Sequence, residues 1–324
     1  MAESTPESAV PIKRIAVNAT AFGPDSFTLY ALDSGSVVWS RAFTKDAWGP
    51  WQRSGVFSVD MPAVIWTSSL TPNFVMACLG TPGAAVTSEP PAPGADVYLY
   101  KQNGPTWNLW THLPGPLNSA AAVTFVEGYH DLAYLYLFGL DTAGYVRWFS
   151  VGKDGTRVGW FLLGGGVKGT PAVAGWGVDY RSTIWARMFL FINGSQGIMM
   201  RDYFHDLGAA YEEAGWGAWS ALEGPIGLRR PAVAVKQAEQ FDLFVQDVGD
   251  YIRHKSYRNG VWSPATDWDN LGQMFTDVRV APVWRANGNL DVMACDRDGR
   301  LWWKNFNGTR WGEWQLENAW PVSG

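Results

Sequence analysis

The chain has 324 residues, with 25 lysines and arginines against 30 aspartates and glutamates, 47% hydrophobic residues, 20 tryptophans, 36 glycines and 19 prolines. A formal net charge of −5 excludes a diffuse basic footprint for phosphate backbones, so no nucleic-acid partner is expected. Apolar runs such as residues 135–140 fall far short of the about 20 residues a membrane-spanning helix needs, so no membrane insertion is expected either.

Residues 1–7, Met-Ala-Glu-Ser-Thr-Pro-Glu, show neither a basic nor an apolar leader pattern. The expected address is cytoplasmic, or outside the cell by release without a signal peptide. Residues 1–14 read as an N-terminal extension and residues 15–324 as one domain of repeated units. The first unit opens at Val17, and its second strand alternates over Phe27-Thr28-Leu29-Tyr30-Ala31-Leu32, the period of two that marks a strand. It continues as Trp39-Ser40-Arg41-Ala42-Phe43 and closes on Trp48 and Trp51.

The second unit starts at Met61-Pro62-Ala63-Val64-Ile65-Trp66, carries Val75-Met76-Ala77-Cys78, and ends on Trp107 and Trp110. Between its middle strands lies a Pro/Gly/Ala-rich insertion, residues 81–94, expected to be a surface loop. The third unit is marked by Val123 and keeps only Trp160 of the closing pair. The fourth opens at Thr170-Pro171-Ala172-Val173-Ala174 and closes on Trp216 and Trp219; residues 206–214, just before that pair, suggest an inserted helical turn or two. The fifth opens at Arg230-Pro231-Ala232-Val233-Ala234 and carries Asp242, then Arg253-His254-Lys255-Ser256-Tyr257, then Trp262, whose expected partner is replaced by Ala265. The sixth opens at Ala281-Pro282-Val283-Trp284, repeats Val292-Met293-Ala294-Cys295, and ends with Trp302-Trp303-Lys304-Asn305-Phe306, Trp311 and Trp314.

The marker valines at 17, 64, 123, 173, 233 and 283 divide the chain into six units of roughly 50–60 residues with four short strands each. Units of this size without helical periodicity are propeller blades. The expected fold is therefore all-β, a six-bladed β-propeller of four-stranded blades. Cys78 and Cys295 end equivalent strands of blades two and six, too far apart on a ring for a disulfide, so two free buried thiols are expected. The four histidines and two cysteines show no metal-ligand spacing. No metal or cofactor is expected, with calcium bound by loop carbonyls left open.

The most regular constellation is aromatic-x-basic-x-aromatic followed by Trp. It comprises Trp39, Arg41, Phe43 and Trp48 in unit one, Lys255, Tyr257 and Trp262 in unit five, and Lys304, Phe306 and Trp311 in unit six. Alternation gathers these side chains on one strand face. Such a face suits a sugar, whose C–H patch stacks on an indole while its hydroxyls take charged partners. The competing reading makes the same tryptophans packing between blades, with the cationic stems laid along them.

The pattern Leu290-Asp291-Val292, Asp298-Gly299-Arg300-Leu301-Trp302-Trp303-Lys304 and Trp311-Gly312-Glu313-Trp314 resembles the repeat of the Photorhabdus-type β-propeller lectins. More distantly, the six-unit count is similar to the Aleuria-type fungal fucose-specific lectins. The resemblance implies non-catalytic glycan binding in pockets between blades, with fucose or O-methylated sugars as ligands. The aromatic half of the fungal fucose pocket is matched by Phe43/Trp48, Tyr257/Trp262 and Phe306/Trp311. Its arginine place holds Phe27, Phe189 or Asp291, and its glutamate place Ser40, Arg201, His254 or Trp303, which favours a more apolar, O-methylated sugar. The Photorhabdus-type repeat is matched at Asp242, Asp291 and His254.

Two inter-blade sites are expected: Asp242 and His254 with Phe306 and Trp311, and Asp291 and Trp303 with Phe43 and Trp48 after ring closure. Repeated sites would give avidity, which homo-oligomerisation would increase. The alternatives are a protein-interaction scaffold and a sialidase-like glycosidase. The second would need paired carboxyls, and the candidates Asp60, Glu127, Asp179 and Glu239 have no common motif.

Overall fold

The computed structural model describes residues 17–23, 26–33, 35–58, 60, 62–66, 74–80, 95–103, 106–117, 122–127, 133–152, 157–164, 168–180, 183–194, 197–206, 215–224, 231–273, 280–296 and 300–317. The insertions at 81–94 and 207–214 and the N-terminal extension lie outside these residues.

Strand formation starts from local turn chemistry. In four units an aspartate ends the second strand and closes a hairpin onto the third. The Asp33 Oδ1 accepts from the backbone N–H of Gly35 and Val37, and Oδ2 from the Trp39 indole at 2.7 Å. Asp141 and Asp247 repeat this with Arg147 and Arg253 in place of the indole. Asp296 accepts from the Arg300 N–H and guanidinium and from the Trp302 indole. A short carboxylate mimicking a backbone turn explains why the strands break where they do.

Blade I contains β1 (Val17–Gly23), β2 (Ser26–Leu32), β3 (Val37–Thr44), β4 (Ala47–Trp48) and β5 (Gln52–Phe57). Blade II contains β6 (Ala63–Trp66), β7 (Phe74–Gly80), β8 (Ala95–Asn103) and β9 (Thr106–Leu117). Blade III contains β10 (Ala122–Glu127), β11 (Ala133–Leu140), β12 (Val146–Gly152) and β13 (Arg157–Gly164). Blade IV contains β14 (Lys168–Tyr180), β15 (Thr183–Gly194), β16 (Gly197–Asp206) and β17 (Ser220–Ala221). Blade V contains β18 (Ala232–Gln237), β19 (Gln240–Gln246), β20 (Tyr251–Arg258), β21 (Val261–Ser263) and β22 (Asp269–Gln273). Blade VI contains β23 (Ala281–Trp284), β24 (Leu290–Cys295), β25 (Leu301–Phe306) and β26 (Gln315–Leu316).

Each blade is an antiparallel sheet. Blades I and V depart from the expected four strands, because β5 and β22 also pair with β3 and β20. All six marker valines fall on the first strand of a blade, and these strands neighbour one another around the ring, with β23 beside β1. The fold is a six-bladed β-propeller. Among the described residues, blades I and VI share no strand.

The core is not central but divided into six layers, one between each pair of adjacent blades. Tyr30 and Val38 of blade I pack on Met76 and Cys78 of blade II. Leu99 packs toward Leu137, Phe138 toward Met188, Phe191 toward Phe241 and Phe244 toward Val292 around the ring. The last layer joins Met293 and Cys295 of blade VI to Phe27 and Leu29 of blade I. Alternation therefore buries both faces of every blade, which is why the middle strands read as nearly continuous apolar runs. Cys78 and Cys295 are free and buried in different layers, as expected. Burial pushes the Cys78 thiol up to about 12, ahead of a smaller lowering by Ser58.

In four blades a closing tryptophan ties the blade to the preceding one. The indole N–H of Trp160 donates to the Pro114 carbonyl at 2.8 Å, Trp219 to Leu163 at 3.2 Å and Trp314 to Leu271 at 2.7 Å. In blade V the expected partner at Ala265 is absent, but Trp268, three residues later, donates to Glu223 at 2.7 Å. A three-residue lengthening hid it from the spacing. In each case the residue after the acceptor is glycine: Gly115, Gly164, Gly224 or Gly272. A Cβ at Gly224 would lie 1.9 Å from the Trp268 Nε1, so only glycine admits the ring there. For these tryptophans the packing reading is the one the geometry supports.

Candidate functional site

On β19, Asp242 and Phe244 face blade VI while Phe241, Leu243 and Val245 face blade IV. On β20 the same alternation separates His254 from Lys255 and Tyr257. Across the junction β25 presents Phe306, and the turn after it presents Trp311, which bridges back to Phe306. Between the two faces lies a cavity of about 450 Å³, within the range of small-ligand sites. Blade V supplies Asp242, His254, Ser256, Arg258, Asp269 and Asn270 to its lining, and blade VI supplies Lys304, Phe306, Arg310 and Trp311.

The polar wall is tightly organised. Asp242, only 2% exposed, accepts from the His254 Nε2 at 2.8 Å, the Arg258 Nη2 at 2.7 Å and the Trp284 indole at 2.7 Å. A buried carboxylate is tolerated because its lone pairs are taken by such donors. The other imidazole nitrogen, Nδ1, lies 3.1 Å from Asp269. Arg258 also donates to the Phe241 and Tyr257 carbonyls. Opposite, the Trp311 ring meets His254 edge-on at 5.3 Å and packs on Phe306 at 5.1 Å.

Burial acts to lower the His254 pKa, but hydrogen bonds to Asp242 and Asp269 and their charges outweigh it and hold the group above its ordinary value. Because the folded value is the raised one, the stabilisation is complete below the unfolded pKa of about 6.5 and is lost as pH rises through the folded one. An NMR titration of the His254 imidazole is therefore expected to show a midpoint above 6.5, moved down by Asp269→Asn. A midpoint at or below 6.5 in the wild type contradicts this arrangement.

Asp242 and His254 are thus brought together with Phe306 and Trp311, the four residues of the first expected site, and Lys304 lies beside them. The second expected site is assembled but filled. Trp303 approaches Phe43 at 6.3 Å and Phe43 packs on Trp48 at 5.0 Å, yet the space is taken by Arg285. This side chain is 4% exposed, lies 2.7 Å from Asp291 and 3.2 Å from Asp46, and sits 5.5 Å over the Phe43 ring. Asp291 is fully buried and also accepts from Asn305. Burial raises its pKa despite Asn305 and Arg285.

The remaining expected residues make packing and turn contacts. Tyr257 and Trp262 pack on each other and against Phe189 and Phe191 of blade IV. Lys255, 2% exposed, donates to the Ala265 and Asp267 carbonyls and lies over Trp268. Arg41 donates to Gly49 at 2.5 Å and lies over Trp48 and Trp51. Trp39 is tied to its hairpin aspartate. In blades I and V the motif cation therefore braces the closing turn. Lys304 lines the cavity and lies over Trp314.

The pairing register also corrects two assigned places. Phe27 sits opposite Phe43 as Phe241 sits opposite Tyr257, so Thr28, not Phe27, is the equivalent of Asp242. Arg201 likewise corresponds to Lys255 and Met200 to His254, counting from Tyr203 opposite Trp216. A one-residue slip moves a side chain to the other blade face. Sequence reasoning missed Arg258, Asp269, Arg310 and Trp284. The signals available were a basic residue directly after the motif aromatic, and a tryptophan, Trp284, directly after the marker valine of unit six.

No protein-family model and no curated protein matches the chain. Solved structures do. A variant of the Aleuria aurantia lectin in complex with Fucα1-6GlcNAc aligns at TM-score 0.63 and 12% identity over 96% of this chain and 98% of its own. The BP39L lectin from Burkholderia pseudomallei aligns at 0.59 and 15% over 94% and 99%. AofleA from Arthrobotrys oligospora aligns at 0.59 and 9% over 96% and 88%. The chain has the six-bladed propeller fold of the Aleuria-type lectins.

Proposed function

We propose that the protein is a non-catalytic carbohydrate-binding protein whose saccharide site lies between blades V and VI. The observation that carries this reading is the cavity itself. An aromatic wall of Phe306 and Trp311 faces hydroxyl, amide and charged groups of Ser256, Asn270, His254 and Arg258 at one blade junction. A pyranose needs both walls at once: C–H groups against the rings, and hydroxyls against fixed donors and acceptors. Fucosylated or O-methylated glycans fit the reading best, since either brings a methyl group to the Phe306–Trp311 corner. The lectins that share the fold support it. Further sites at other junctions, or self-association, would add avidity.

Trp311→Ala is expected to lower affinity in glycan-array and calorimetric titrations by about 1–3 kcal/mol, a range taken from aromatic stacking of nucleobases. Phe57→Ser, an exposed apolar position away from the cavity, serves as the control and should bind normally. Unchanged binding in Trp311→Ala with native melting behaviour would rule out this junction as the site.

A further inference from the structure

The charge distribution in the cavity between blades V and VI deepens the saccharide reading, on which this inference rests. The chain as a whole is acidic, with a net charge of −5, yet the cavity gathers three fixed cations, Arg258, Lys304 and Arg310, against two carboxylates, Asp242 and Asp269. Both carboxylates are engaged by the His254 ring, which lies between them. Asp242 is further neutralised by Arg258 at 2.7 Å. Lys304 lies back over the Trp314 ring.

Arg310 is different. Its backbone N–H is held by Asn307 Oδ1, which fixes the turn, and its neighbour is the stacking residue Trp311. Its side chain is exposed, and among the described residues its guanidinium has no hydrogen bond or ion pair. A planar, permanently charged fork beside an aromatic platform is matched by an oxyanion on the edge of a ring, which it can grip through two N–H groups.

We propose that this site selects acidic saccharides, with Arg310 as the specificity-determining residue that pairs with a carboxylate or sulfate carried by the sugar packed on Trp311. The two anion sources share one chemistry, and the test separates them.

The full chain is titrated calorimetrically with two matched pairs, methyl glucoside against methyl glucuronide and L-fucose against fucose sulfate, after a glycan array containing neutral and acidic counterparts. The acidic member of at least one pair is expected to bind about tenfold more tightly at low salt, and the advantage should shrink at high salt as the charges are screened. Which pair shows it identifies carboxylate or sulfate. Arg310→Gln should abolish the advantage, read as the ratio of acidic to neutral affinity within each pair, and Arg310→Lys should restore part of it. Arg310 is exposed, so folding of these variants is checked simply by their melting. Neutral sugars bound as well as acidic ones, or an advantage that persists in Arg310→Gln, overturns the acidic selectivity and leaves the lectin reading standing. Binding of neither class on the array overturns the lectin reading and this one with it.

Discussion

Asp242→Ala is expected to destabilise the protein by about 3–5 kcal/mol, the cost of breaking a buried charged network by removing one partner. The carboxylate is 2% exposed and accepts from His254, Arg258 and Trp284. Its loss leaves an imidazole, a guanidinium and an indole N–H without their acceptor, and two of the three belong to blade V and one to blade VI. The damage should fall on the junction as well as on the blade. Asp242→Asn keeps the volume and one acceptor oxygen, so its loss should be distinctly smaller. Urea denaturation monitored by tryptophan fluorescence measures both. Equal, small losses for the two variants would mean that the carboxylate is not holding this junction.

Gly224→Ala is expected to cost a similar amount, about 3–5 kcal/mol, for a different reason. The added methyl would meet the Trp268 indole at 1.9 Å, and the backbone φ of +141° disfavours any side chain. Overpacking and backbone strain each contribute about 1–3 kcal/mol, and the hydrogen bond from Trp268 to Glu223 is lost with them. Gly164→Ala is the matched control. Its φ is +77°, but a Cβ there meets nothing within 4 Å, so only the backbone term of about 1–3 kcal/mol applies. Thermal melts of the two variants should differ clearly. A Gly224→Ala protein as stable as Gly164→Ala would show that the indole has room to move aside.

The repeat was legible because a blade must bury both faces in the same way six times, and the first strand of each unit keeps a marker valine, in three units within Pro-Ala-Val. Val17, Val64, Val123, Val173, Val233 and Val283 all lie on first strands. Site residues were legible only in part. The pairing of Asp242 and His254 with Phe306 and Trp311 followed from alternation and blade order. What alternation does not reveal is volume: Arg285 fills the junction between blades VI and I, while its counterpart Lys236 lies outward over Trp284 at 4.6 Å. Nor does it show which charges are already spent, as with Arg41 and Lys255 on turn carbonyls. Asp269 was hidden because it sits on a fifth strand that the other described blades, except blade I, lack.

The distance along the chain between blades VI and I has a consequence for the order of folding. Arg285 and Asp46, which meet across the seam, are 239 residues apart in the chain, whereas Asp242 and Trp284 of the cavity junction are 42 apart. Contacts of long sequence separation must first overcome the larger closure entropy, and they form late for that reason. The junction that holds the cavity is a local assembly of two successive units, while the seam waits for the whole circle. Blades V and VI can therefore dock on each other, and shape the cavity between them, while blade I is still apart from blade VI.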